Sequence, residues 1–276
     1  MMTRERNVVS ETGSLLSAYL DHQRARGLST STSRRRSVSI GRFRGHIAPC
    51  ALEEATTELV EDFLATIPVA TTRRAYRSDL NALYSFAVKR RLVPTNPVAF
   101  TDTIRVPRAM PRPVPAELVR TLIELAPDRE TELAIALAAY AGLRRFEVAN
   151  LTRDDVVLGG EIPMIYVRMG KGAKDRAVPV HPDLEPLLRR LPAGRVVALS
   201  AAQIGVKVST FMRELGVDAT MHQLRHSFAT EGAKSGDLVA LMNLLGHESL
   251  STTSRYTALT GNRTVHVVRA MYPAAS

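Results

Sequence analysis

The sequence lacks the features on which secreted and membrane proteins depend. It contains one cysteine, Cys50, and no tryptophan, and a single cysteine can neither close an intrachain disulfide nor build a cysteine-rich zinc site. The longest apolar run, from Leu133 to Leu143, has 11 residues, whereas a membrane-spanning helix needs about 20. The first residues also lack the hydrophobic segment of a secretion signal. We therefore expect a cytoplasmic protein with no membrane partner.

Acidic residues are too few to balance the basic ones. The chain has 37 Lys and Arg against 27 Asp and Glu, a net charge of +10, and residues 1–111 carry 17 of the basic and 10 of the acidic groups. Such an excess favours a polyanionic partner, because neutralised phosphates release their condensed counterions. Nucleic acid is therefore the leading partner class. The alternative is a basic surface that only aids solubility or touches an anionic membrane.

The length of 276 residues predicts about two domains. Apolar periodicity predicts four helices in the first part, ending near residue 91, and they form a helical domain over residues 10–92. Six prolines between Pro94 and Pro115 cannot continue a helix and favour extended chain. They predict a linker over residues 93–114.

The remaining residues, 115–276, form a second domain of mixed character. Residues 162–168 and 176–180 are predicted strands of a β-hairpin, with Lys171 in its turn. The other predicted elements are helices near 115–126, 129–141, 144–151, 183–190, 202–215, 222–234, 237–245, 251–256 and, weakly, 262–270. The predicted fold class is mainly α with a small antiparallel sheet.

Four clusters place cationic or imidazole groups at the ends of these elements. They are Arg144 with Glu147, Lys171 between two glycines, His222 to His226, and Gly246-His247 followed by Tyr256. Each cluster alone has an ordinary structural interpretation, such as a surface charge or a hairpin tip.

A metal site is the first chemical alternative to weigh. His222 and His226 are spaced i, i+4, and His247 could join them in a three-histidine site. Arg225 would then place a cation beside the metal, and no nearby carboxylate is obviously positioned to complete the shell. We therefore expect neither a metal nor another cofactor.

Taken together and in order, the clusters resemble the tyrosine recombinase (phage integrase) family. Residues 141–148 look like its first arginine box and residues 169–180 like its lysine hairpin. Residues 222–230 match its HxxR box, and residues 244–257 match its histidine and tyrosine box. The similarity is close over about residues 112–260. The first domain is similar only in kind, as a helical (SAM-like) core-binding domain, beside an α/β catalytic domain. The family often has a histidine where this chain has Ala258, a position that is not catalytic.

The resemblance implies that the protein cuts and rejoins duplex DNA through a 3′-phosphotyrosine. Tyr256 would be the nucleophile. Arg144 and Arg225 would grip the phosphate oxygens, because guanidinium groups stay protonated and present planar forks. Fixed cations are needed, since the transition state gains negative charge on its non-bridging oxygens.

The same resemblance assigns the remaining site residues. Lys171 would protonate the departing 5′-oxygen, and His222 would accept or position the tyrosine proton. His247 would bond a non-bridging oxygen. Glu147 would orient active-site side chains, or form only an ordinary i, i+3 ion pair, and His226 would be structural.

Arginines and lysines outside these boxes are candidates for DNA contact. Lys174 and Arg176 could instead be solvated charges of the hairpin, and Arg145 is a surface or DNA-backbone group. The candidates are Arg34, Arg35, Arg36, Arg73, Arg74, Arg77, Lys174 and Arg176.

The resemblance also implies partners and leaves some roles open. We expect a double-stranded DNA core site, a homotetramer on DNA that is monomeric in solution, and an accessory directionality protein as a further partner. The role is that of a phage or prophage integrase, or of an Xer-like dimer resolvase. A type IB topoisomerase and a DNA-binding regulator without catalysis are the rivals. The C-terminal tail, residues 257–276, docks either on a neighbouring protomer or on its own domain.

Overall fold

The chain forms two compact units, Met1–Ala109 and Met110–Ser276. The structure is a computed structural model that describes residues 15–106, 112–168, 175–234 and 236–246. Among these residues, no helix combines the length and the apolar character that crossing a membrane requires. The predicted turn around Lys171 and the predicted helices near 251–256 and 262–270 lie outside the described residues.

The described residues of the first unit form four α-helices, as the apolar periodicity predicts, and one short 3-10 helix, Leu52–Glu54. The α-helices are α1 (Leu15–Ala25), α2 (Thr30–Ile47), α3 (Thr57–Ala65) and α4 (Ala70–Lys89). Ser29 caps α2 by accepting a hydrogen bond from the Thr32 N–H at 3.3 Å, which satisfies a donor that has no partner inside the helix. Ile40 and Phe43 of α2 are fully buried against Leu80 and Leu83 of α4.

The first part of the predicted linker packs into this unit. Val93 and Val98 are buried in the core of the helices. Arg77 of α4 also donates hydrogen bonds to the Val98 carbonyl and to both oxygens of Thr101. The division between the units lies within the predicted range 93–114, but residues 93–101 are part of the first unit. Proline prevents helix in this segment and does not prevent its apolar side chains from being buried.

The second unit surrounds a helix whose last eight residues are buried. Residues 133–140 of that helix are each at most 2% exposed, and they belong to the longest apolar run of the sequence. The helices of this unit are α5 (Ala116–Glu124), α6 (Arg129–Tyr140), α7 (Arg145–Asn150), α8 (Glu185–Arg189), α9 (Ala201–Glu214), α10 (Met221–Ala233) and α11 (Leu238–Leu245). α5, α9 and α10 pack around α6.

A three-stranded antiparallel sheet completes the second unit. Its strands are β1 (Val156–Val157), β2 (Met164–Val167) and β3 (Arg176–Pro179), in the order β1-β2-β3. Ile165 pairs with Val156 on one side and with Val178 on the other. The predicted hairpin is thus β2 and β3, whereas β1 is an additional strand. Two residues are too short to give a period-two signal, which explains its absence from the prediction.

Candidate active site

Glu147 is a buried carboxylate that closes the first turn of α7. Arg144 precedes the helix, and its backbone N–H donates to Glu147 Oε2 at 2.7 Å. A glutamate at the third helical position satisfies a donor that the helix itself leaves free. The Glu147 side chain is 0% exposed. A buried carboxylate requires cationic or hydrogen-bonding partners, because desolvation opposes its charge.

Three arginines supply those partners. Arg144 Nη1 donates to Glu147 Oε1 at 3.0 Å. Arg176 of β3 donates through Nη1 and Nη2 to the two carboxylate oxygens, each at 2.8 Å. Arg225 of α10 places Nη1 3.8 Å from Glu147 Oε2. Three guanidinium groups therefore meet one carboxylate, and two positive charges of this cluster stay uncompensated.

Backbone carbonyls accept further hydrogen bonds from the same guanidinium groups. Arg225 donates to the carbonyls of Gly142 and Leu245, and Arg176 Nε donates to the Leu244 carbonyl at 2.7 Å. The residues Leu244 and Leu245 end α11, where the helix leaves carbonyls without internal partners and where cations are favoured. Arg144 Nη2 donates to the carbonyl of Gly246, which caps α11, at 3.4 Å. The end of α11 thus contacts all three arginines.

The carbonyl of Gly142 accepts a hydrogen bond from Arg225. It is held in place by a backbone conformation that residues other than glycine avoid. The φ of Gly142 is +62°, and a Cβ at this position would lie 2.8 Å from Phe228 Cε1. Positive φ is readily adopted by glycine alone among the common residues. The loop between α6 and α7 therefore depends on glycine for both reasons.

The cluster is ionised at neutral pH. Burial opposes the charge of Glu147, but the hydrogen bonds and charges of Arg176 and Arg144 outweigh it and hold the pKa of Glu147 below its ordinary value. Burial and the neighbouring Arg144 charge lower the pKa of Arg225 to about 9, so its guanidinium is still cationic near pH 7.

An open cleft of about 450 Å³ lies beside this cluster. Arg144 and Arg225 line it together with His222, at the start of α10. Partial desolvation, followed by the charges of His226, Arg225 and Arg144, lowers the pKa of His222. His222 is therefore neutral at pH 7 and can accept a proton. Among the described residues that line the cleft, none is a carboxylate.

His222 and His226 contact each other on the same face of α10. Their ring centroids are 4.4 Å apart and the rings meet edge to face. Within the described ranges, no group of three His, Cys, Asp or Glu side chains is arranged to hold a metal ion. Four further predicted site residues, Lys171, Lys174, His247 and Tyr256, lie outside the described residues.

Arg176 is not a solvated charge of the hairpin, and its predicted DNA contact stays a prediction. Its side chain is 9% exposed, and its three nitrogens donate to Glu147 and to the Leu244 carbonyl. Sequence analysis missed this role. Strand alternation contains the signal, since Arg176 shares a face of β3 with the fully buried Val178.

The arginines of the first unit divide into two groups. Arg34 and Arg74 are exposed. The other candidates make internal contacts: Arg35 and Arg36 pair with the buried Asp79, at 2.6 and 3.7 Å. Arg73 Nε donates to the Ile67 carbonyl at 2.8 Å, and Arg77 holds the segment that ends at Thr101.

Comparison with known proteins identifies the family. Residues 115–263 match the model of the Phage integrase family, which is more than half of the chain. A tyrosine recombinase of Thermosipho africanus is 32% identical over 265 residues, covering 88% of this chain and 93% of that protein. Tyrosine recombinase XerA of Thermococcus kodakarensis is 38% identical over 174 residues, covering 56% of this chain and 61% of that protein.

Solved structures share the fold. An integrase from mycobacterium phage Brujita is 25% identical, with a TM-score of 0.55 over 95% of this chain and 93% of that one. Lambda integrase, crystallised as a dimer bound to a COC′ core site, is 21% identical, with a TM-score of 0.72 over 85% of this chain and 94% of that one. The chain therefore belongs to the phage integrase family and is a tyrosine recombinase.

Proposed function

We propose that the protein cuts and rejoins duplex DNA at a specific core site through a 3′-phosphotyrosine at Tyr256, as an integrase of the phage type. One observation carries the chemistry. Arg144, Arg225 and His222 line one open cleft whose described lining contains no carboxylate, and Glu147 lies buried beside the arginines.

This arrangement suits a phosphodiester in its transition state. Attack on phosphorus adds negative charge to the non-bridging oxygens, and preorganised cations in a partly buried site stabilise that charge without reorganising. The carbonyls and Glu147 already fix Arg144 and Arg225. The surplus of two positive charges over Glu147 is the electrostatic contribution of the cluster.

The reaction then needs one nucleophile and two proton transfers. The Tyr256 oxygen attacks phosphorus as His222, neutral near pH 7, takes the phenolic proton. The bond from phosphorus to the 5′-oxygen breaks, and Lys171 protonates that oxygen. His247 donates to a non-bridging oxygen. A 5′-hydroxyl of a second strand reverses these steps, so that the bond energy is conserved.

The first unit would bind the duplex outside the reacting phosphate. Its residues supply +7 of the net charge of +10, and Arg34 and Arg74 are exposed. The lambda integrase with the same fold has been crystallised as a dimer on a core site and as a tetramer on a Holliday junction. By analogy we propose a homotetramer on DNA for this chain, in which a directionality protein would set the direction of exchange.

A nicked suicide substrate tests the proposal. We expect the wild-type protein to form a covalent complex with DNA in EDTA, and Tyr256→Phe to bind DNA but form none. Tyr166→Phe is the matched control, because Tyr166 is exposed on β2 and should leave the covalent yield unchanged. A wild-type protein that binds but forms no covalent complex would be a DNA-binding regulator instead. Loss of the complex in EDTA would reject the arginine mechanism.

An Xer-type resolvase is the second candidate role. It is favoured by relatives named XerA and XerC, the latter from Myxococcus xanthus and 28% identical over 260 residues. The integrase role is favoured by the phage Brujita structure, which covers 95% of this chain. An integrase should join two non-identical sites on separate molecules, whereas a resolvase should excise DNA between two identical, directly repeated sites. Relaxation of supercoils without strand exchange would indicate a topoisomerase.

A further inference from the structure

Arg145 lines the same cleft as the site arginines but makes none of their contacts. It is the first residue of α7 and is exposed. Among the described residues, no carboxylate forms an ion pair with it. Arg145 is therefore a cation that faces the cleft without taking part in the Glu147 cluster.

The side chain of Arg145 lies across α9 at Gly205. A Cβ added at Gly205 would lie 2.9 Å from Arg145 Cδ and 3.3 Å from Arg145 Cζ, so the Arg145 side chain would have to shift to make room for it. Glycine is a poor helix former, and Gly205 stands inside the 14-residue helix α9. Because Gly205 has no side chain, a space remains on α9 that holds the Arg145 side chain and that the Cβ of an alanine would fill. We call this space the seat of Arg145.

Polar residues line the same cleft as Arg145 and Gly205. Ser209, one helical turn after Gly205, and Thr220, which precedes α10, are among its lining residues. A guanidinium and a hydroxyl are donors suited to phosphate oxygens. Because successive phosphates of a strand are near neighbours, a further cation in this cleft would meet a phosphate beside the one that Arg144 and Arg225 hold.

We propose that Arg145, seated on Gly205 and supported by Ser209, binds the DNA phosphate next to the scissile one. The inference rests on the proposed function, since it takes the ligand of the cleft to be a DNA strand. Arg145 thereby sets the register of the strand in the cleft. Gly205 is a positioning residue, because it acts only through the place that it leaves for Arg145.

Single-turnover cleavage of suicide substrates tests the contact. Arg145→Ala should cleave about tenfold more slowly, the loss expected for one hydrogen-bonded charge contact. A series of substrates, each with one phosphate replaced by an uncharged methylphosphonate, locates that contact. Replacement of the neighbouring phosphate should slow the wild-type protein and should have no further effect on Arg145→Ala. Cleavage by Arg145→Ala at the wild-type rate, or with the wild-type response to every replacement, would overturn the proposal.

A double-mutant cycle tests the seat. Gly205→Ala should keep the fold, because alanine favours helix, and should slow cleavage as Arg145→Ala does. The double variant should be no slower than Arg145→Ala alone. Val206→Ala is the matched control, since Val206 is exposed on the same helix and should cleave normally. Additive losses would overturn the role of Gly205.

The two proposals fail in different ways. A wild-type protein that forms no covalent complex rejects the proposed function and the phosphate contact with it. A wild-type protein that cleaves, beside an Arg145→Ala variant that is unaffected, rejects the phosphate contact alone.

Discussion

Asp79 in the first unit and Glu147 in the second are both buried carboxylates surrounded by arginines. Asp79 is 1% exposed and accepts hydrogen bonds at Oδ2 from Arg35 at 2.6 Å and from Ser39 at 2.8 Å. Its Oδ1 accepts none from the described residues. Both oxygens of Glu147, by contrast, accept hydrogen bonds, from Arg144 and Arg176.

The arginines of the two clusters differ in how far they are exposed. Around Asp79, the side chains of Arg35 and Arg36 are 50% and 22% exposed. Around Glu147, those of Arg144, Arg176 and Arg225 are 21%, 9% and 5% exposed. Asp79 therefore joins α2 to α4 with the more solvated partners. Glu147 joins α7, β3 and α10 with partners that have little freedom to move. The same ion-pair chemistry docks two helices in one unit and preorganises an anion site in the other.

The largest expected effect comes from removing the carboxylate charge in each cluster. Glu147→Gln should destabilise the second unit by about 3–5 kcal/mol, because it leaves buried cations uncompensated. Asp79→Asn should cost the first unit about 1–3 kcal/mol, since Arg35 can turn to solvent. Hydrogen exchange of the full chain, followed for each unit, measures both losses. If Asp79→Asn lost as much stability as Glu147→Gln, the two clusters would not differ in how strongly their arginines depend on the carboxylate.

The pH dependence of these variants follows from the same charges. The pKa of Glu147 is below its ordinary value in the folded protein. Its contribution to stability is therefore present above the ordinary pKa of 4.5 and is lost as the pH falls through the lowered pKa. Glu147→Gln should lack this acid-sensitive contribution, which acid titration of both proteins measures.

The next effect concerns catalysis. Arg144→Ala or Arg225→Ala should lower the cleavage rate by about 10²–10³, the range for loss of one transition-state donor, with little change in DNA binding. Arg35→Ala is the control from the other cluster, and its bound complex should cleave at the wild-type rate. Single-turnover cleavage at saturating protein separates rate from binding. A rate loss in Arg35→Ala matching that of Arg225→Ala would remove the distinction between the clusters.

Sequence patterns predicted the elements of both clusters but, apart from Arg144 with Glu147, not the contacts within them. The apolar stripes that place α2, α4 and α6 are local signals. The helices predicted within the described residues and the pairing of β2 with β3 are confirmed. Glu147 and Arg144 are three residues apart, so their contact was predictable from helix geometry. Arg176 lies 29 residues from Glu147 and Asp79 lies 44 from Arg35. No local sequence pattern indicates which arginine will pair with a buried carboxylate that is distant in the chain.

Burial in irregular segments was equally hard to predict. Prolines predicted a linker from residue 93, yet Val93 and Val98 are buried in the first unit. In a segment without helix or strand periodicity, two apolar residues do not indicate whether they are buried or which part of the protein they pack against. The roles of Lys171, His247 and Tyr256, and the tail over residues 257–276, stay predictions.

A smaller effect distinguishes His222 from a surface histidine. Burial and the charges of His226, Arg225 and Arg144 lower its pKa, so the neutral, proton-accepting form persists below the ordinary value of 6.5. The cleavage rate should fall only as the pH drops through that lowered pKa. His226→Asn removes one of these causes and should move the acid limb to higher pH. An unchanged limb in His226→Asn would remove His226 from the electrostatics of the site.

The smallest expected effect on activity lies in the first unit, between two arginines of one helix. Arg74 is exposed, whereas Arg77 is half-buried and donates to Val98 and Thr101. Arg74→Ala should lower the slope of log Kd against log salt by about one, as for one lost phosphate contact, and should leave the melting temperature unchanged. Arg77→Ala should leave the salt slope unchanged and lower the melting temperature. Its loss leaves buried acceptors without a donor, which costs about 1 kcal/mol of unfolding free energy.

DNA binding at several salt concentrations, with thermal melting of each variant, separates the two arginines. Arg34→Ala should behave as Arg74→Ala does, since Arg34 is also exposed. If Arg77→Ala lowers the salt slope and melts normally, its contacts within the unit contribute little and its guanidinium binds DNA. Internal hydrogen bonds would then not distinguish a structural arginine from one that contacts DNA. The same would apply to the arginines that pair with Asp79. If all three variants keep the wild-type slope, Arg34, Arg74 and Arg77 do not contact DNA phosphates.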